Sequence, residues 1–174
     1  MKKIRFFGGM AILSVLCLSC FHSRSGLSVI GYRNQQVFIK KGLSYRVGYL
    51  GPQWKEFKTG SKSASFHNDS MGATISTDAF CGGAFEDLPL KTLDGQLFAG
   101  MEKRVVSKTD EIVLDGRGAL RTVSEASIDG VRLKFDAVTI KKNNCTVDFV
   151  YMSPPENYSA GLNDFETFFK DFSF

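Results

Sequence analysis

The chain has 174 residues, 43% hydrophobic and 23% charged, which is the composition of an ordinary globular protein of about one domain. This excludes a disordered tail, a collagen, a coiled coil and a polytopic membrane protein. The formal net charge is +4, but three basic residues lie at positions 2, 3 and 5, and from residue 20 onward 19 Lys and Arg face 18 Asp and Glu. That balance of +1 gives no support to nucleic-acid binding.

The first 20 residues are typical of an export signal. A basic start is followed by an apolar run over residues 6–18, which is shorter than the roughly 20 residues of a membrane span. The run ends at Leu18-Ser19-Cys20. This triplet resembles the lipobox of bacterial lipoproteins, and the resemblance implies that Cys20 is acylated and becomes the new N-terminus. Two alternatives stay open: ordinary cleavage near Ser19 or beyond, and an uncleaved anchor.

The residue after the acylated cysteine bears on the membrane concerned. Phe21 stands where an Asp often retains lipoproteins in the inner membrane, so the lipoprotein pattern favours the outer membrane, facing the periplasm, and leaves the inner membrane as the alternative. Residues 21–26 are then a short tether, and residues 27–174 are predicted to fold as one domain. Two or more acyl chains hold a protein on the bilayer far more firmly than one chain does.

The four cysteines divide in a simple way if the chain is exported. Cys17 leaves with the leader and Cys20 takes the lipid, so Cys81 and Cys145 remain as a pair in an oxidising compartment. A disulfide between them closes a loop of some 60 residues, which contributes about 4 kcal/mol in the loop-entropy view. The alternative is two buried free thiols.

The first part of the chain is predicted to be rich in strands. Short apolar or alternating runs indicate strands over residues 27–32, 37–41, 42–49, 65–67 and 73–76. Gly51-Pro52 ends the third of these. Trp54 and Phe57 follow on a predicted loop or short turn.

A helix is predicted over residues 88–106. Asp87 is the expected N-cap, and Pro89 is tolerated in the first turn. Gly95 and Gly100 oppose the helix by ~1 kcal/mol each relative to Ala. Apolar residues recur at helical spacing and predict one buried face: Leu90, Leu93, Leu97, Phe98, Met101 and Val105.

The last part of the chain is predicted to be an antiparallel meander. Asp115-Gly116, Asp129-Gly130 and Asn143-Asn144 are hairpin-turn dipeptides, because Gly, Asn and Asp accept a positive φ at low cost. They separate strands predicted over residues 111–114, 118–128, 131–142 and 145–152. The alternation breaks at Ala137-Val138, which indicates either a bulge or a strand buried on both faces.

A C-terminal helix is predicted after Pro154-Pro155. The expected class is therefore α+β, with a central antiparallel sheet made of the four-stranded meander and the N-terminal strands, flanked by two main helices. The apolar stripe of the last helix is Leu162, Phe165, Phe168, Phe169 and Phe172.

The pattern resembles the PsbP-like superfamily in two places. Residues 42–47 followed by Pro52-Gln53-Trp54 are similar to its early strand, and residues 114–151 with residues 165–172 are similar to its closing strands and final helix. The resemblance covers most of residues 37–174. It implies a sheet with helices on its faces and an accessory subunit or binding module, and it carries no catalytic motif across.

Catalytic and metal chemistry have little support in the sequence. The chain has two histidines and no Gly-x-Ser-x-Gly pattern, and its acids are spread out, so no cofactor and no metal are predicted. Cys81 with His67 as its base is the one enzymatic hypothesis, in competition with a bridged or buried cysteine.

The functional prediction rests on the leader, the resemblance and the aromatic residues. Trp54, Phe57 and Phe80 lie outside the strongest periodic elements, where they can line a ligand groove or face a partner. The sequence predicts a non-catalytic, lipid-anchored accessory or binding protein of the bacterial envelope with an envelope protein partner. The alternative is a carrier of a lipid or another small apolar ligand, and an enzyme ranks third. The oligomeric state stays open.

Overall fold

A computed structural model describes residues 27–58, 63–82 and 88–174. The predicted leader, the tether, the lipid site at Cys20 and the predicted N-cap Asp87 lie outside these residues. Among the described residues, no helix has the length and apolarity needed to cross a membrane.

The N-terminal half is built of six strands. In chain order these are β1 Leu27–Arg33, β2 Gln36–Ile39, β3 Ser44–Arg46, β4 Lys55–Phe57, β5 Ser63–Asn68 and β6 Ala73–Cys81. The loop predicted after Trp54 was wrong in part, because residues 55–57 pair with β5 as β4. The strand predicted over residues 42–49 is only β3, since a turn of 3-10 helix over Lys40–Gly42 takes up its start.

The C-terminal half is the predicted meander between two helices. Its elements are α1 Leu90–Leu97, β7 Glu102–Leu114, β8 Arg117–Ile128, β9 Val131–Lys142, β10 Cys145–Ser153 and α2 Tyr158–Lys170. The turns bend at Asp115, Asp129 and Asn143, each with a φ near +50° (46° to 50°), as the turn dipeptides predicted. The register of β9 with both neighbours is unbroken, so the bulge at Ala137-Val138 was wrong and burial on both faces is correct.

The helix predicted over residues 88–106 was wrong beyond residue 97. The chain leaves α1 through Gly100, whose φ is +87°, and it continues as β7 from Glu102. Glycine favours this break. Val105, which the spacing placed on the helical stripe, is an exposed strand residue. The N-cap position belongs to Pro89, which makes no side-chain cap.

One twisted sheet holds all the strands of the described chain, and all of its pairings are antiparallel. The order is β3-β2-β1-β6-β10-β9-β8-β7, with β5 beside the first part of β6 and β4 beside β5. The fold is thus α+β, as predicted. Strands β6 and β10, far apart in sequence, lie side by side at its centre.

The two helices cover opposite faces of the sheet. Alternating residues of the central strands point to α2 on one face and to α1 on the other. The α2 side holds the larger core, with Tyr45, Phe149 and Phe168 fully or almost fully buried, and the C-terminal phenylalanine stripe packs there as predicted. The α1 side holds a smaller cluster around Phe98 and Phe135.

An ionic network joins α2 to the sheet. Arg121 on β8 donates two hydrogen bonds to Asp136 on β9, at 2.9 and 2.7 Å, and Asp136 is fully buried. The same guanidinium donates to Glu166 of α2 at 2.9 Å. Tyr158 also donates to Asp136, at 2.7 Å, and Lys170 donates to Glu166 at 2.6 Å. Every member of the network therefore has a partner in the protein, as buried charges require.

Candidate functional site

A groove opens on the α1 side of the sheet, where α1 does not reach. α1 packs over β8 and β9, and the same face of β6 and β10 is left as the floor of a cavity of about 300 Å³. Seven side chains line it, four from the floor and three from α1: Asp78, Phe80, Thr146, Asp148, Leu93, Gln96 and Leu97.

Two aspartates stand side by side on this floor. Asp78 on β6 is the register partner of Asp148 on β10, so both carboxyls leave the sheet on the same face. Asp148 is only 8% exposed and accepts a 2.6 Å hydrogen bond from the Thr139 hydroxyl. The Oδ1 atom of Asp78 is shielded from solvent and accepts no hydrogen bond from any described residue. Among the described residues, Thr139 therefore holds Asp148, whereas the Oδ1 atom of Asp78 has no donor.

Both acids hold their protons more tightly than an ordinary aspartate. Burial, together with the neighbouring charge of Asp148, raises the pKa of Asp78 to about 8. Burial also raises the pKa of Asp148 to about 6, against the opposing hydrogen bond from Thr139 and with the added charge of Asp94 on α1. Near neutral pH the pair therefore retains a proton, because two adjacent buried carboxylates repel each other.

The aspartate pair predicts that stability falls as the pH rises. An unfolded aspartate loses its proton near pH ~3.9, whereas the folded pair keeps protons up to about pH 8, so folding binds protons between these values. Stability is greatest at the acidic end of that window. We expect the melting temperature to be about 5 °C lower at pH 8.5 than at pH 5.5, for a loss of about 2 kcal/mol.

Asp78→Asn should remove most of this pH dependence and raise the melting temperature at pH 8.5, because a neutral amide replaces the buried charge. The measurement is thermal unfolding followed by circular dichroism at the two pH values. Asp110→Asn is the matched control, since Asp110 lies in a surface ion pair with Lys108 on β7. A melting temperature of Asp78→Asn that declines with pH as steeply as that of the wild type would contradict the assignment.

The two predicted cysteine partners meet across the sheet. Cys81 on β6 and Cys145 on β10 are register partners and form a disulfide, the pairing expected from the sequence. Because Cys81 is part of this disulfide, it has no free thiol to act as a nucleophile. His67 lies on β5 opposite Thr74, with which it shares a 3.1 Å hydrogen bond. Thr74 precedes Cys81 by seven residues on β6, a separation of roughly 23 Å along the strand.

The three aromatic residues singled out in the sequence do not form one surface. Trp54 is 6% exposed and its indole N–H donates to Asp164 of α2 at 2.8 Å, so it packs in the α2 core at the edge of a second cleft of about 470 Å³. Phe57 lies on β4 against the ring of His67. Phe80, 41% exposed, lies at the α1 groove. Of the three, the groove includes Phe80 alone.

Sequence reasoning missed Asp78 and Asp148. Each occupies a polar position of an alternating strand, where an aspartate normally faces water. Nothing in either strand marks the face that α1 partly covers. The one unusual local feature is that Asp78 is the only charged residue of β6, whose other residues are apolar or carry a hydroxyl.

Metal coordination has no geometric support in the described parts of the chain. No three His, Cys, Asp or Glu side chains converge there as ligands. The aspartate pair supplies two carboxylates, whereas calcium takes six to eight oxygen ligands.

Comparison with known proteins supports the fold. No family profile matches the chain, and no curated protein matches it in sequence. Cyanobacterial PsbP (CyanoP) from Synechocystis superposes with a TM-score of 0.52 at 11% identity, over 85% of this chain and 92% of that one. LpqN, described as involved in cell envelope biogenesis of Mycobacterium tuberculosis, has a TM-score of 0.54 at 9% identity, over 74% and 83%.

A third similar structure is PA94 of Pseudomonas aeruginosa, a protein of unknown function. It has a TM-score of 0.50 at 12% identity, over 79% of this chain and 91% of that one. The superposition with CyanoP confirms, at the level of the fold, the PsbP-like resemblance predicted from the sequence.

Proposed function

We propose that this chain is a non-catalytic binding protein of the bacterial cell envelope, attached to the outer membrane by lipid on Cys20 and facing the periplasm. The observation that carries the binding role is the groove beside α1. It combines an apolar wall, a cavity of about 300 Å³ and a shielded carboxyl oxygen, Oδ1 of Asp78, that accepts no hydrogen bond from the described residues. Such a mixture of apolar lining and few polar groups is typical of a small-ligand site.

Two observations support the envelope location. The leader ends in a lipobox-like triplet at Cys20, and the folded part contains a disulfide, which persists in oxidising compartments. LpqN, which shares the fold, is named for cell envelope biogenesis. The non-catalytic part of the proposal is supported by the engagement of Cys81 in that disulfide.

An accessory subunit that docks on an envelope protein is the second candidate. The observation that favours it is the edge strand β7, which pairs with β8 alone among the strands that the structure describes and carries exposed valines at positions 105, 106 and 113. Val113 is 79% exposed. The backbone N–H and C=O groups along an exposed strand edge are a template for pairing with another chain.

The proposal is tested by cell fractionation followed by native mass spectrometry of the isolated protein. Cys20→Ser should move the protein from the membrane to the soluble fraction, since the acyl chains supply the membrane affinity. Cys17→Ser is the control and should remain membrane-bound. Gln96→Trp fills the mouth of the groove and should abolish co-purification of a small molecule, whereas Thr92→Trp, exposed on α1 outside the groove, should not.

Two results would contradict the proposal. Equal membrane attachment of the Cys20→Ser variant and the wild type would remove the anchor. Equal ligand occupancy in Gln96→Trp and Thr92→Trp, including none in either, would remove the groove as the binding site and favour the accessory subunit.

A further inference from the structure

The floor of the groove carries two adjacent carboxyl groups, those of Asp78 and Asp148. Among the described residues, Asp148 accepts its hydrogen bond from the neutral Thr139 hydroxyl, and the Oδ1 atom of Asp78 has no partner. Two cations on the same side of the sheet are bonded elsewhere: Arg104 donates to Asp94 at 3.1 Å, and Lys141 donates to the carbonyl of Leu88 at 2.9 Å. The Oδ1 atom of Asp78 is shielded from solvent and has no donor among the described residues, and leaving a shielded carboxylate oxygen without a donor or a cation is costly. The groove therefore favours a ligand that brings both.

The walls of the groove indicate the remaining chemistry of that ligand. Leu93 and Leu97 of α1 and Phe80 of β6 present apolar surface beside the two carboxyls. A hydrated metal ion gains nothing from this wall, and the pair offers few oxygen ligands. A primary ammonium offers three N–H donors on a compact charge, and a short alkyl chain attached to it would bury apolar area against the leucines.

We propose that the groove beside α1 binds a small primary ammonium ligand, with the ammonium between Asp78 and Asp148 and its short apolar chain against Leu93 and Leu97. This inference rests on the proposed binding function and names the ligand class. The N–H groups of the ligand supply the hydrogen bonds that the Asp78 carboxyl lacks, while Thr139 continues to hold Asp148.

Binding of such a ligand depends on pH. Burial raises the pKa of both carboxyls, so protons compete with the ammonium below about pH 8. Among the described residues, the charged groups with contacts on this side are Asp94 of α1, which adds negative charge, Arg104 of β7, which pairs with it, and Lys141 of β9. An alkylammonium, like a lysine side chain with a pKa of ~10.4, stays protonated at pH 8.5.

Isothermal titration calorimetry with the full-length chain in detergent tests the inference, with n-butylammonium as the probe and 1-butanol as its neutral counterpart. We expect n-butylammonium to bind at least tenfold more tightly at pH 8.5 than at pH 5.5. Asp78→Asn and Asp148→Asn should each lower its affinity at pH 8.5 at least tenfold, whereas Asp110→Asn should not change it. Affinity for 1-butanol should be independent of pH. Circular dichroism verifies that each variant is folded.

The outcomes separate this inference from the proposed function. Equal affinity for 1-butanol and n-butylammonium at both pH values would overturn the ammonium site but leave an apolar binding groove in place. No binding of either probe, or unchanged n-butylammonium affinity in both aspartate variants, would also overturn it. Comparison of Gln96→Trp with Thr92→Trp then tests the binding function, because that result does not depend on whether the ligand is an amine.

Free amines and ethanolamine headgroups share the proposed chemistry. Glycerophosphoethanolamine, titrated under the same conditions, distinguishes the two sources. Binding of n-butylammonium alone identifies a free amine as the ligand class, because the headgroup phosphate is repelled by the two carboxyls. Binding of both probes identifies the headgroup as an acceptable source of the ammonium. Either result supports the ammonium site.

Discussion

Replacing Arg121 with Met is expected to lower the free energy of unfolding by about 3–5 kcal/mol, which corresponds to a fall of roughly 10 °C in melting temperature. The guanidinium donates three hydrogen bonds, two to the fully buried Asp136 and one to Glu166 of α2. Met retains much of the apolar stem but leaves Asp136 buried with only the hydroxyl of Tyr158 as a donor. An uncompensated buried charge is the main cost.

Arg132→Met is the matched control for Arg121→Met. Arg132 faces Glu125 across a 3.4 Å surface contact and its side chain is largely exposed, so its removal should change the free energy of unfolding by less than about 0.5 kcal/mol. Urea unfolding of both variants measures the difference. A loss below 1 kcal/mol for Arg121→Met would show that the network does not hold α2 on the sheet as its geometry requires.

Removal of the disulfide is expected to have the second large effect. Cys81→Ala combined with Cys145→Ala should lower the free energy of unfolding by about 4 kcal/mol, because the bond closes a loop with a sequence separation of 64 residues. The bond also joins β6 to β10 at the end of the longest-range pairing of the central sheet. Urea unfolding with and without dithiothreitol measures the effect.

The reductant supplies the control for the cysteine variants. Dithiothreitol should destabilise the wild type to about the level of the double variant and should leave the double variant unchanged. If the double variant unfolds within 1 kcal/mol of the oxidised wild type, the unfolded chain gains little freedom on losing the bond, and the loop-entropy contribution is absent.

Only part of the candidate site could be predicted from the sequence. The sequence predicted the disulfide because export removes Cys17 and acylates Cys20. Cys81 and Cys145 are then the two thiols that remain in an oxidising compartment. Asp78 and Asp148 were not distinguished from surface acids, although they dominate the groove. The groove above them depends on where α1 ends, because the chain turns at Gly100 and continues as β7 at the sheet edge instead of extending the helix to residue 106.

The amino-acid sequence by itself determined the meander, the final helix and the α+β class. Turn dipeptides such as Asp129-Gly130, two-residue alternation and a phenylalanine stripe are local signals, and they act whatever the rest of the chain does. Tertiary structure alone decided that β6 pairs with β10, that Asp78 faces Asp148, and that α1 leaves their face open. Register between strands some 70 residues apart, and the choice of the covered face, depend on how the whole core packs, and no local pattern encodes them.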